Sequence, residues 1–183
     1  MGGAGGPLRP KPPNRETGSP VPGFHDDVPW QGWSCAAKMG GVNPLFKLFV
    51  KGHVWLYRST DGRRGSSMQG MKVLLLTTVG NKSGKARTVP IVPFIDGSDT
   101  YVMASMGGAP QHPAWYLNLR SHPDVDVQMG ADKYRARAVT LEEGPERERL
   151  WKRITEAMPN FGEYQKKTTR VIPVVRLERQ APN

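Results

Sequence analysis

The chain has 183 residues, with 26 Lys+Arg against 16 Asp+Glu and a formal net charge of +10. A single cysteine, Cys35, excludes an intrachain disulfide or thiolate cluster, and the four histidines lack ligand spacing, so no metal site is expected. No apolar run is long enough to span a membrane, and the start MGGAGGPLRPKPPN has no apolar signal-peptide core, so a cytoplasmic protein is expected. Residues 1–43 hold nine of the 21 glycines and seven of the 17 prolines. Without a periodic apolar pattern they cannot offset their ordering entropy. They predict a largely disordered extension, 1–42, ahead of one domain, 43–183.

Asn43-Pro44 is a helix start, a capping side chain followed by proline at the first helical position. Pro44–Arg58 then alternates apolar residues with Lys47, Lys51, His53 and Arg58, a short amphipathic helix weakened at Gly52. Packing on the core is the plainer reading; contact with a membrane surface, or cover over an apolar site, is the other. Residues 59–70 form a polar loop. Val73–Val79 is a buried strand, Gly80–Lys85 a turn, and Arg87–Ile95 a second strand whose prolines suit an edge or bulge. Asp96–Asp99 turns into a third strand, Thr100–Ser105, completing an antiparallel meander over 72–106. Ala114–Ser121 reads as a short helix, Val125–Gln128 and Tyr134–Thr140 as a hairpin, Glu142–Met158 as a helix, Met158–Gln165 as a loop and Val171–Leu177 as a closing strand. This order has no βαβ repeat. It predicts an α+β fold, a small antiparallel barrel with flanking helices.

The charge is localised. Residues 44–95 contain nine cations against Asp61 alone, a net of +8, while each flanking region contributes +1. That pattern suits docking of a polyanion. No stacking platform or groove helix appears, so nucleic acid is the least favoured partner. Gly80-Asn81-Lys82-Ser83-Gly84-Lys85-Ala86 is not a P-loop: only three residues separate its glycines, Ala86 replaces Ser/Thr, and a strand follows. What remains is a hairpin turn rich in glycine and cations, suited to an anion. Ser105-Met106-Gly107-Gly108 closes a strand with backbone that a flat ligand can approach. Phe161 and Tyr164 suit one wall of a pocket.

The series from LLLTTVGNKSGKARTVP through YVMASMGG to HPAWYLNLRSHPDVDVQ resembles the deazaflavin (F420)-dependent nitroreductase family of actinobacteria, within the flavin/deazaflavin split-barrel superfamily. Pro159–Gln165 and Arg170–Val174 match the family's tyrosine-bearing loop and closing strand, so the resemblance covers about Trp55 to Leu177. It implies a split antiparallel β-barrel that binds coenzyme F420. It also implies an F420H2-dependent reductase passing hydride to an apolar, electron-poor acceptor: a quinone, nitroaromatic or unsaturated lactone. Cofactor contacts carried over by the resemblance are Asn81, Lys82, Ser83, Arg87, Thr88, Val89, Pro90, Met103, Ala104, Ser105, Met106, Ala114, Trp115, Tyr116, Leu117 and Asn118. Lys85 joins them as a further cation for the phosphodiester and glutamate tail. Tyr164 and Ser105 are the candidate proton donors, and Met158, Phe161 and Tyr164 the substrate wall. Met106, Phe161 and Met158 stand where nitro-drug-reducing members can carry Lys, Tyr and Tyr, which favours apolar acceptors. The alternatives are an FMN-binding split-barrel oxidoreductase and a non-catalytic F420 carrier.

Overall fold

The computed structural model describes residues 44–65, 67–68, 71–141 and 143–181. Helix α1 (Pro44–Ser59) is followed by β1 (Ser67–Met68), β2 (Met71–Lys72), β3 (Leu74–Val79), β4 (Ala86–Ile91), β5 (Phe94–Asp96) and β6 (Asp99–Met103). A 3-10 turn (Met106–Gly108) leads to α2 (Ala114–Ser121), β7 (Asp124–Met129) and β8 (Asp132–Thr140). Helices α3 (Pro145–Ala157) and α4 (Asn160–Lys166) precede the last strand, β9 (Val174–Arg179). Strands β3 to β9 make one antiparallel sheet in the order β4-β3-β7-β8-β9-β6-β5, and β1, inside the loop predicted over 59–70, pairs with β2 just after it.

Strands β4 and β5 occupy opposite edges of that sheet, yet only Val92 and Pro93 lie between them. Ile91 and Phe94 are three Cα–Cα steps of about 3.8 Å apart, so the two edges approach within about 11 Å. The sheet therefore curls until its edges nearly meet. No ladder joins β4 to β5 among the described residues, which leaves the barrel split. The expected α+β split barrel is the observed fold, but its second strand needs correction. Arg87–Ile95 is not one strand, and 72–106 is not a continuous meander. Pro93, without an N–H, ends the ladder and the chain crosses to the other edge. Pro90 is tolerated within β4 because an edge strand has a partner on one side only.

Side-chain alternation divides the interior into two clusters. Val102 of β6, and Ala104 just after it, face a core of Leu74, Leu76, Val125, Val127 and Val175, closed by Tyr116 and Leu119 of α2. Tyr101 and Met103 face a second core, with Ile172, Val174, Leu150 and Ile154 of α3, and Phe161 of α4. Burial of such side chains contributes about 1.5–3 kcal/mol each before entropy is counted.

Helix α1 is fastened by Tyr57, fully buried, whose hydroxyl donates to the Val73 carbonyl and accepts the Gly130 N–H, both at 2.8 Å. Gly62 packs directly on Gly130, leaving no room for a Cβ. Packing on the domain is thus correct for α1, while its Leu48 and Trp55 remain exposed. Two further boundaries differ from the sequence reading. The predicted loop Met158–Gln165 contains α4, which begins directly after Pro159, and the closing strand starts at Val174 because Pro173 has no N–H to donate. The predicted extension lies outside the described residues.

Candidate active site

The β3–β4 turn is built from its own backbone. The Gly80 N–H donates to the Lys85 carbonyl at 2.9 Å, and the Ser83 and Gly84 N–H groups donate to the Gly80 carbonyl. A Cβ on Gly80 would lie 2.8 Å from Ser83 Oγ and 3.1 Å from the Lys85 carbonyl, so a side chain there would have to displace Ser83 and press on the turn. Asn81, Lys82, Ser83, Lys85 and Arg87 all reach solvent. Asn118 of α2 holds the turn in place: its Oδ1 accepts the Asn81 N–H, and its Nδ2 donates to Thr78 Oγ1, each at 3.1 Å. On the opposite face of β4, Arg58 Nη2 donates to Thr88 Oγ1 at 3.1 Å and Thr77 Oγ1 at 3.2 Å, tying the end of α1 to both strands.

Charge pairing separates this corner from the face formed by β7, β8 and β9. Lys133, Arg135 and Arg179 are paired with Asp61, Asp126 and Asp132. Among the described residues, Lys51, Arg58, Lys82, Lys85 and Arg87 have no ion-pair partner. A cleft of about 600 Å³ between α1 and β4 is lined by three of them, Lys51, Arg58 and Arg87, with Val50, Val54 and Trp55 and no carboxylate. A larger cleft, about 710 Å³, opens over β3, β7 and β8 and contains none of the predicted site residues. Its cations are mostly neutralised, so the smaller cleft is the better anion site.

The remaining predicted residues lie on β4, at the end of β6 and in the loop after it, on α2 and around α4. Met103, Ala104 and Ser105 are buried and Met106 is exposed. Met106, Gly107 and Gly108 follow one another with φ of +49°, +66° and +83°. A Cβ on Gly108 would lie 2.6 Å from the Tyr164 carbonyl, so α4 rests directly on this loop. Val89 and Trp115 pack against the core that contains Ala104 and Tyr116, while Met158 and Tyr164 pack against the one that contains Met103 and Phe161. The Phe161 and Tyr164 rings meet edge to face at 5.7 Å. Ala114 and Leu117 are exposed, and Trp115 is half-buried. Tyr116 is a core residue, its ring 5.0 Å from that of His112 and its N–H donated to the Pro113 carbonyl, so it supports the site from beneath. Pro90 is likewise buried, and the half-buried Thr88 is engaged by Arg58.

Two contributors escaped the sequence reading. Arg58 was visible only as a cation at the end of the amphipathic helix. Arg170 stood only as the first residue of the matched closing segment Arg170–Val174, with no role assigned to it. Its guanidinium bonds the carbonyls of Ala104, Ser105 and Ala109. Burial pulls its pKa down, with Tyr116 opposing. Among the described residues, no group of three or more His, Cys, Asp or Glu side chains is placed to hold a metal ion.

The corner thus offers unpaired cations at one end and a buried, largely apolar wall at the other. Residues 49–179 match the profile of the F420H(2)-dependent quinone reductase family. The chain belongs to that family. A Mycobacterium tuberculosis relative named as an F420H(2)-dependent quinone reductase is 37% identical over 131 residues, 70% of this chain and 88% of the relative. A solved F420-H2 dependent reductase is 45% identical, covers 58% of this chain and 93% of its own, and superposes with a TM-score of 0.53. A solved domain-swapped dimer is 38% identical, covers 74% of this chain and all of its own, with a TM-score of 0.56. The solved F420-H2 dependent reductase thus shares the fold described above.

Proposed function

We propose that this chain is an F420H2-dependent reductase that passes hydride from the reduced deazaflavin to a quinone. The observation that carries the reading is the tie from Asn118, which holds the cation-bearing β3–β4 turn against α2, the helix whose Trp115 packs on the apolar core. F420 has the same two halves, a flat ring and a phosphodiester bearing glutamates. The residues present fit it. Lys82, Lys85 and Arg87 face the anionic end, and the groove of Lys51 and Arg58 extends that surface along α1. Exposed ion pairs contribute about 0–1 kcal/mol each, so the cations act together. Val89, Trp115 and the backbone of 104–106 and 114–118 accommodate the ring.

Reduced F420 supplies the hydride when bound. The chain's task is to hold an acceptor about 3–3.5 Å from the reacting carbon and to exclude water. Met158 and Tyr164, half-buried against the core of Met103 and Phe161, would give that acceptor a largely apolar wall, which favours a quinone ring over a polar nitro heterocycle. Quinone reduction needs one proton beside the hydride, and Tyr164 Oη and Ser105 Oγ are the candidate donors in this corner. The α1 face carrying Leu48, Lys51 and Trp55 would set the mouth of the cleft against a membrane holding lipid-soluble quinone. Flotation with anionic liposomes that is unchanged by Leu48→Ser with Trp55→Ser removes that part.

The direct test is titration of the purified chain with F420, read by deazaflavin fluorescence, followed by turnover with menadione and other quinones. Saturable binding and turnover are expected. FMN binding in place of F420 would overturn the cofactor assignment, and F420 binding with no turnover would make the chain a carrier. Lys82→Ala with Lys85→Ala is expected to weaken long-tailed F420 more than a tail-truncated form.

A further inference from the structure

We infer that Arg170 is a positioning residue that sets the ring-side loop against α4; the inference rests on the F420 reading above. Met106 through Gly108 form a left-handed stretch in which Met106 carries a side chain. Such backbone persists only where its surroundings over-determine it. Arg170 brackets the stretch: Nη2 donates to the Ser105 carbonyl at 2.8 Å and the Ala104 carbonyl at 3.1 Å before it, and Nε donates to the Ala109 carbonyl at 2.9 Å after it. Nη1 lies 3.3 Å from His112 Nδ1, and since guanidinium can only donate, that nitrogen accepts.

The geometry has a consequence for the ligand side. A trans peptide points its N–H opposite to its C=O. With the Ala104 and Ser105 carbonyls drawn to the guanidinium, the N–H groups of Ser105 and Met106 are turned to the other side, as a pair of donors for the carbonyl edge of a flat ring. Arg170 is itself held from α4. Gln165 Nε2 donates to the Arg170 carbonyl at 2.8 Å, and Gln165 Oε1 accepts the Ile172 N–H at 2.9 Å. One chain of bonds thus runs from the helix bearing Phe161 and Tyr164 to the loop bearing Ser105. Lysine cannot replace Arg170, because an ammonium lacks the planar fork that reaches several acceptors at once.

The test uses Arg170→Lys in the full chain, with near-UV circular dichroism and a thermal melt to establish a native fold. F420 and its tail-free deazaflavin core are titrated by fluorescence, and kcat is measured with menadione. Arg170→Lys is expected to weaken both ligands by the same factor, about tenfold, and to lower kcat as well. Gln165→Met, which keeps the guanidinium but releases its backbone, is expected to act in the same direction and replaces Arg170→Lys if that variant does not fold. A folded variant with unchanged affinity for the tail-free core and unchanged kcat overturns the inference. So does a loss confined to long-tailed F420, which would make Arg170 part of the anion site. Failure of the unsubstituted chain to bind F420 would instead overturn the functional reading, and is seen before any variant is made.

Discussion

Asn118 gives the sharpest test of whether order in the β3–β4 turn matters to ligand binding. Asn118→Leu keeps the side-chain volume and the helix but removes the bonds to the Asn81 N–H and to Thr78 Oγ1. Neutral hydrogen bonds contribute about 0.5–1.5 kcal/mol net, and the half-exposure of Asn118 puts the pair at about 1–2 kcal/mol. Thr78 is 1% exposed, and its hydroxyl would keep only a 3.5 Å contact with the Arg87 carbonyl, which moves the expected loss to the upper end. A turn that must then be ordered by the ligand transfers this cost to binding, a fall in F420 affinity of about 5–30-fold. Asn118→Asp retains an acceptor for the Asn81 N–H but places a negative charge beside the unpaired cations. Its loss should therefore be smaller at high salt than at low salt. Fluorescence titration at two ionic strengths, with a melt for each variant, measures both effects. If Asn118→Leu lowers the melting temperature yet binds F420 as the unsubstituted chain does, the turn needs no preorganisation and the reasoning is wrong.

Gly108→Ala should both destabilise the domain and slow turnover. A left-handed alanine costs about 1–2 kcal/mol, and the added Cβ would push α4 away at the Tyr164 carbonyl. Tyr57→Phe leaves the Val73 carbonyl and the Gly130 N–H without their partner, for about 2–4 kcal/mol in a denaturant melt with F420 affinity retained. Burial first, then the charges of Arg170 and Arg120, holds the His112 pKa below its ordinary 6.5. The unfolded chain therefore binds this proton at higher pH than the folded one. Stability should be unaffected by His112 above that range and should fall as pH drops from 6.5 toward the lowered value. His112→Gln should flatten that part of a stability–pH curve; an unchanged slope would assign it elsewhere.

Much of the architecture was legible because its signals are local. The turn at Gly80–Lys85 follows from glycine spacing between two β-rich runs, and α2 from the apolar pattern between Pro113 and Pro123. The helix α4 was misread as a loop because its seven residues contain a glycine and scarcely a full apolar period, and are held by packing on Gly108 and α3. The split of Arg87–Ile95 was missed for a related reason. Proline marked an edge there, but nothing nearby says that the chain changes edges.

By itself, then, the sequence determined the basic corner, the hairpin that carries it and the motif series that marks the family, since each depends on neighbours a few residues away. Only the tertiary structure decided which cations lack partners, because Lys133, Arg135 and Arg179 are neutralised by carboxylates from other strands or a distant turn. It likewise decided that Asn118 holds the turn 37 residues away and that Arg170 gathers carbonyls 61 to 66 residues away. Hydrogen bonds and ion pairs act over a few ångströms of space, and their partners are brought together only once the sheet has curled.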